Sequence, residues 1–347
     1  MPAETVSMNR STLPFMPKAE LHRHLAGSIS SATLLEANRR FGVELPAVTV
    51  AKLRELTVLE RPMTSLQEVL SRFEFFANIC ISAEVVEFLA NRAVADAARE
   101  AVRYLELRFS PGFMAFRHGL ALEAVVEAVI AGSQAAAQER GMVVPLIAIA
   151  SREMGPEVCL RTFKLAAKYR PYVVGVDLAG DEDNHPPKPF FAAFDYARDN
   201  GLGITVHAGE QTGAENVRTA VEMLHADRIG HGIRIVDHPD IMELLATRNI
   251  PLEISITSNY IVGAVPSLEA HPVCRLHQSG VPITINSDDP ALFGIDLTGE
   301  LEVYARICNA GPGDLLQRQL DALEYGFAPE SDRAVVRELL HSWWNRV

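Results

Sequence analysis

The side chains best suited to chemistry are a few histidines and carboxylates set in short polar breaks between apolar runs. His22 and His24 flank Arg23, His207 stands three residues before Glu210, His231 lies between Gly230 and Gly232, and Asp288 and Asp289 precede Pro290. Imidazole and carboxylate are donors that suit zinc, and a catalytic zinc keeps one position for water. His22, His24, His207 and Asp288 together make such a set, for one zinc per chain. Zinc can bring the pKa of its water to about 7, giving hydroxide at neutral pH. Something must then take the water's proton and something must protonate the electrophile, and Glu210 and His231 are the available groups. Asp289, next to a ligand, faces elsewhere, toward a substrate. Glu210 could also cap a helix beginning near Gly213, and Asp289 could open a plain Asp-Pro turn. The chemistry is that of a mononuclear zinc hydrolase acting on an electrophilic carbon.

Such residues can meet only if the elements carrying them converge. Eight short β-branched or apolar runs predict strands near Glu20–Leu25, Tyr104–Phe109, Val143–Ala150, Val173–Leu178, Ile204–Ala208, Arg228–Gly232, Leu252–Thr257 and Pro282–Asn286. Stretches with apolar residues at i, i+3 and i+4 separate most of them, as in Pro156–Tyr169, Ala214–His225 and Asp240–Arg248. Eight strands each followed by helix make a (β/α)8 barrel of the TIM type. A doubly wound sheet would show a Gly-rich phosphate turn after its first strand, and His24-Leu25-Ala26-Gly27-Ser28 is not one. In a barrel the C-terminal strand ends share one face, and the polar residues fall at those ends. Strand alternation points His22 and His24 together into the barrel mouth and Arg23 toward the helices. A two-metal site would need a bridging residue, usually a modified lysine, and the predicted fourth strand contains none.

Between the first two strands, Ser31–Phe41, Ser65–Ile79 and Ala83–Glu100 read as extra helices placed to cover a pocket. The tail from Leu297 to Val347 reads as helical. No linker or repeat divides residues 1–347, which read as a single metal-dependent hydrolase domain with residues 1–16 as a loosely docked or disordered leader. Arg108 and Arg152 end strands two and three, where structural ion pairing is favoured over contact with an anionic substrate.

The chain has 347 residues and a net charge of −12. That acidic balance disfavours nucleic acid and anionic membrane surfaces, which are bound by clustered Lys and Arg. Cys80, Cys159, Cys274 and Cys308 lie far apart without a CxxC pair, which fits a reducing cytoplasm. The N-terminus lacks the apolar core of a signal peptide, and no apolar run reaches the ~18 residues of a membrane span. Oligomeric state is not legible.

Several segments, in order, resemble the adenosine deaminase family of the amidohydrolase superfamily: PKAELHRHLAGS (Pro17–Ser28), VVGVDLAGDE (Val173–Glu182), TVHAGE (Thr205–Glu210), RIGHG (Arg228–Gly232) and INSDDP (Ile285–Pro290). The resemblance implies hydrolytic deamination of a 6-aminopurine nucleoside at C6, giving the 6-oxopurine and ammonia. By the same resemblance His22, His24, His207 and Asp288 would hold zinc. Glu210 would donate a proton to ring nitrogen N1, and His231, helped by Asp288, would take the proton from the water. His24, Ala26, Gly180 and Asp289 would face the substrate, Asp289 at N7 and the Gly180 backbone N–H at N3. The zinc deaminases of nucleic-acid bases carry HxE with PCxxC, and neither is present. Free-base adenine deamination, or another mononuclear amidohydrolase reaction, is the alternative.

Two departures matter. Where relatives carry an acid after His-Leu, which in nucleoside deaminases accepts a hydrogen bond from the ribose 5′-hydroxyl, this chain has Ala26. A 5′-modified adenosine is therefore expected as substrate, such as aminodeoxyfutalosine or a 5′-deoxy or 5′-methylthio nucleoside. Ser255-Ile256-Thr257-Ser258-Asn259 replaces the family's usual Cys-Pro before Ser-Asn, while Gly263-Ala264-Val265 is kept.

Overall fold

Val, Ile and Leu are frequent in the strands after the first, and a computed structural model of the chain, describing residues 12–63, 66–211 and 213–346, pairs all eight strands in parallel. The strands are β1 (Lys18–His24), β2 (Val102–Phe109), β3 (Leu146–Ser151), β4 (Val173–Ala179), β5 (Gly203–Ala208), β6 (Arg228–His231), β7 (Leu252–Ile254) and β8 (Ile283–Ile285). They lie in sequential order in one sheet of eight. The sheet curls round until Arg23 bridges to Asp288, with His24 N donating to Asp288 O (2.8 Å) and Asp288 N to His22 O (2.9 Å). This is the (β/α)8 barrel, and its seam closes at residues expected to bind metal.

The β1–β2 connection holds Ser31–Phe41, Val50–Thr57, Leu66–Ile79 and Ala83–Arg99. Side-chain caps start three of them, as where Ser82 Oγ accepts from Val85 N. After β8 come Leu297–Cys308, Pro312–Tyr325 and Glu330–Trp344, the helical tail. Of the first sixteen residues only 12–16 are described; Leu13 and Met16 are buried, and Lys18 Nζ ties the carbonyls of Pro14 and Met16 to that of Glu100. Among the described residues, no helix is long and apolar enough to cross a membrane.

Two local expectations need correction. β7 stops at Ile254, and Ile256–Ile261 turns into a helix. Ile256 is buried as a strand residue would be, so composition alone did not reveal the turn. Cysteine spacing gave no sign of pairing, yet Cys274 and Cys308 form a disulfide with Cα atoms 5.4 Å apart. Tertiary packing of the helices Val273–Gln278 and Leu297–Cys308, not sequence spacing, brings them together. Cys80 and Cys159 are buried free thiols.

Candidate active site

β1 places His22 and His24 on one wall of the barrel mouth, β5 adds His207 from the opposite wall, and Asp288 follows β8 beside β1. One nitrogen from each histidine and one oxygen of Asp288 all lie within 4.8 Å of one another. Asp288 Oδ1 is 3.3 Å from His22 Nε2 and 3.1 Å from His24 Nε2, and those two nitrogens are 3.2 Å apart. Gly230 on β6 makes room, since a Cβ there would sit 3.1 Å from His22 Cε1 and 3.3 Å from the His207 ring.

Buried carboxylates orient the rings from below. Glu253 Oε2 on β7 accepts from His22 Nδ1 at 2.8 Å, and Asp177 on β4 accepts from His207 Nδ1 at 3.0 Å. Both carboxylates are held well below their ordinary pKa: burial pushes the other way, but the hydrogen bond from His207 and the charge of Arg108 win at Asp177, and Arg108 and Arg228 win at Glu253. Burial takes the His207 pKa down to about 3, so that ring is neutral. With the Nδ1 hydrogens of His22 and His207 committed to carboxylates, their Nε2 lone pairs point with an aspartate oxygen into one small space. A cluster of electron pairs with few hydrogens to share fits a cation, and three nitrogens with one carboxylate oxygen are donors that suit zinc.

Arg108 joins the two supporting acids, with Nη1 on Asp177 (3.0 Å) and Nη2 on Glu253 (2.8 Å). It is a structural ion-pair residue, as the sequence favoured. Arg152 donates to the backbone carbonyls of His185 (3.0 Å) and His207 (2.9 Å), which fixes the end of β5.

Glu210 is not a helix cap. Its Oε1 accepts from Asn259 Nδ2 at 2.8 Å and lies 3.7 Å from His231 Nδ1. Burial, with the negative charges of Asp288 and Glu182, pushes its pKa up to about 8. Glu182, the last residue of LAGDE, fixes the backbone around Glu210 by accepting from the N–H groups of Gly209, Glu210 and Gln211 at 2.9–3.0 Å. His231 Nε2 is 3.9 Å from Asp288 Oδ2, which also accepts from Ser258 Oγ at 2.6 Å. His231 and Asp288 both have φ of +63°, a strained backbone of the kind that persists where function requires it.

Asp289 is buried, and its Oδ1 has no partner among the described residues. Burial and the adjacent Asp288 push its pKa up to about 8. It rests on Gly27, where a Cβ would collide with it at 1.8 Å. Gly180 takes φ +109° beside the carboxylate of Glu153, which accepts from Asp181 N at 2.6 Å. Ala26 is half-buried and lines a largely apolar pocket with Ile29, Phe76, Ile79 and Leu292.

The sequence reading did not single out Glu253, Asp177, Asn259 or His271. The available signal was a charged residue inside an apolar strand, which is costly to bury unless paired. Asn259 and His271 gave no such signal.

Comparisons with known proteins place the whole chain in a family. The family model described as adenosine deaminase matches residues 17–343. An adenosine deaminase of Erwinia tasmaniensis is 39% identical over 94% of this chain and 98% of its own. The crystal structure of an adenine deaminase from Arthrobacter aurescens superposes with a TM-score of 0.86 at 27% identity, covering 95% of this chain and 99% of that one. The N6-methyl-AMP deaminase of Arabidopsis thaliana gives 0.83 at 29% identity, covering 96% and 98%.

Proposed function

The chain belongs to the adenosine deaminase family, hydrolases that deaminate adenosine-type purines, and we propose that it uses one zinc and favours a substrate whose 5′ position bears something other than hydroxyl. His22, His24, His207 and Asp288 would hold the ion. A zinc there would supply Lewis-acid activation of water, bringing its pKa to about 7.

The remaining steps belong to side chains. With its pKa pushed up to about 8, the Glu210 carboxyl is largely protonated at neutral pH and can deliver a hydrogen to N1, leaving C6 more electrophilic. The proton that water loses on attacking C6 goes to the His231–Asp288 pair, whose facing atoms are 3.9 Å apart. Returned to the departing amino group, it lets that group leave as ammonia, and the C6 hydroxyl then gives its hydrogen back to Glu210. Water and the aminopurine thus become ammonia and the 6-oxopurine. Asp289, whose pKa is also pushed up to about 8, would offer a hydrogen to the acceptor N7, and its Oδ1 has no partner among the described residues. The backbone N–H of Gly180 would serve N3.

The observation that carries the 5′ reading is Ala26 in its apolar surroundings. A carboxylate there would reward a hydroxyl and reject its absence, because an unmet buried polar group is costly; a methyl group makes neither demand. Ammonia release should be measured with adenosine, 5′-deoxyadenosine, methylthioadenosine, aminodeoxyfutalosine and adenine. The expected result is a higher kcat/KM for a 5′-modified nucleoside than for adenosine, with Ala26→Asp shifting the ratio toward adenosine by at least roughly tenfold. A strong preference of the natural chain for adenosine would overturn the 5′ reading, and a preference for adenine would replace it with free-base deamination.

A further inference from the structure

One buried backbone donor sets the direction of a chain of hydrogen bonds that ends at both proton-transfer groups. Val273 N donates to His271 Nδ1 at 3.1 Å. A ring nitrogen that accepts carries no hydrogen, so the hydrogen of His271 is on Nε2, and that nitrogen is 3.1 Å from Asn259 Oδ1. The amide therefore has its oxygen toward His271 and its NH2 toward the site. Its two hydrogens meet Glu210 Oε1 at 2.8 Å and His231 Nδ1 at 3.1 Å. Flipping the amide would put two donors face to face at His271. All the members are buried apart from the partly exposed Glu210, and burial takes the His271 pKa down to about 3, keeping its ring neutral.

We propose that Asn259 is a positioning residue for proton transfer: oriented by His271, its amide donates one N–H to Glu210 and the other to His231 Nδ1, fixing the two groups relative to each other and placing the hydrogen of His231 on Nε2. The assignment of Glu210 and His231 to proton transfer rests on the function proposed above; the hydrogen-bond chain does not. His231 then has its Nδ1 lone pair occupied by the Asn259 amide, and it faces Asp288 with Nε2–H.

The first test reads tautomers in the zinc-loaded protein by nitrogen NMR of 15N-histidine-labelled material. His271 and His231 should both show Nε2–H with an unprotonated Nδ1. A hydrogen on Nδ1 of either ring would overturn the proposal, with or without activity. The second test uses Asn259→Asp, which keeps shape but replaces the donating amide with an acceptor. It should move the His231 hydrogen to Nδ1 and lower kcat by at least about 10²-fold, as for a lost acid or base, at unchanged zinc content. His271→Gln keeps a donor toward Asn259 and should retain most of kcat, whereas His271→Leu should lose it with little change in KM. Equal losses in these two, or full kcat in Asn259→Asp, would overturn the positioning role. Correct tautomers in a protein that releases no ammonia from any aminopurine would instead refute the assigned reaction and leave the hydrogen-bond chain standing.

Discussion

Replacing Glu253 by Gln tests whether the acids beneath the histidines serve the metal site or only the fold. Every group facing Glu253 is a donor or can be one: Arg228 Nε at 2.7 Å, Arg108 Nη2 at 2.8 Å, His22 Nδ1 at 2.8 Å and Thr205 Oγ1 at 3.1 Å. An amide has one oxygen to offer, so in either orientation its NH2 meets a donor. Arg108 keeps Asp177 and Arg228 keeps Glu106, so neither guanidinium is stranded. Breaking one member of a buried ionic set costs about 3–5 kcal/mol. At ~2.1 cal/mol/K of unfolding entropy per residue over 347 residues, that lowers Tm by about 4–7 °C. Losing the partner at Nδ1 also frees the His22 ring, and such losses weaken metal binding by about 10–100-fold. Glu106→Gln is the control: Glu106 pairs with Arg228, Tyr104 and the Phe327 N–H, but with no histidine. Chelator competition and thermal melts on both variants separate the effects. Glu253→Gln should weaken zinc binding and lower Tm, and Glu106→Gln should lower Tm alone. Equal zinc affinity in the two variants would refute the reasoning.

Glu210→Gln should keep its zinc, measured by elemental analysis, while kcat falls by about 10²–10⁴-fold; His22→Ala should lose zinc and activity together. Glu300 offers a stability test away from the ligands. It is buried, its Oε1 lacks a partner among the described residues, and burial pushes its pKa up to about 7, against 4.5 unperturbed. Between those values the unfolded chain ionises first, so the folded state is penalised as pH rises from about 4.5 to 7 and by a constant amount above. Between pH 5 and pH 8 the penalty grows by about 2.5 kcal/mol at 1.36 kcal/mol per unit. Glu300→Gln removes it, so the Tm difference, variant minus natural chain, should rise by about 3 °C across that interval. A difference independent of pH would show that Glu300 is ionised in the fold.

The barrel was legible because its two periodicities are strong: most strands after β1 carry short apolar or β-branched runs, and the helices between them repeat at i, i+3 and i+4. The metal-ligand cluster was legible because His22, His24, His207 and Asp288 interrupt those runs at strand ends, where a barrel needs no polar residue for folding. β7 was overextended because Ile256 is as buried as a strand residue, and only Ser255 marks the break. The hydrogen-bonding roles of Asn259 and His271 were invisible for another reason. They are twelve residues apart, and their meaning lies in which atom faces which, set by the Val273 backbone N–H. No residue type announces that.

The same distinction explains why so much charge sits in the barrel interior. Barrels of this type are normally filled with Val, Ile and Leu, and well-packed apolar residues are often as stable as a buried ion pair or more so. Here Glu106, Arg108, Asp177, Arg228 and Glu253 are all fully buried within the strands. Stability alone does not call for them. Arg108 spans Asp177 and Glu253, and each of those acids ends on the Nδ1 of a different histidine. Moving either acid therefore pulls on Arg108 and, through it, on the other histidine. An apolar layer could pack the barrel, but it could not fix which ring nitrogen carries the hydrogen. That requirement selects carboxylates under His22 and His207, and the carboxylates in turn require the arginines.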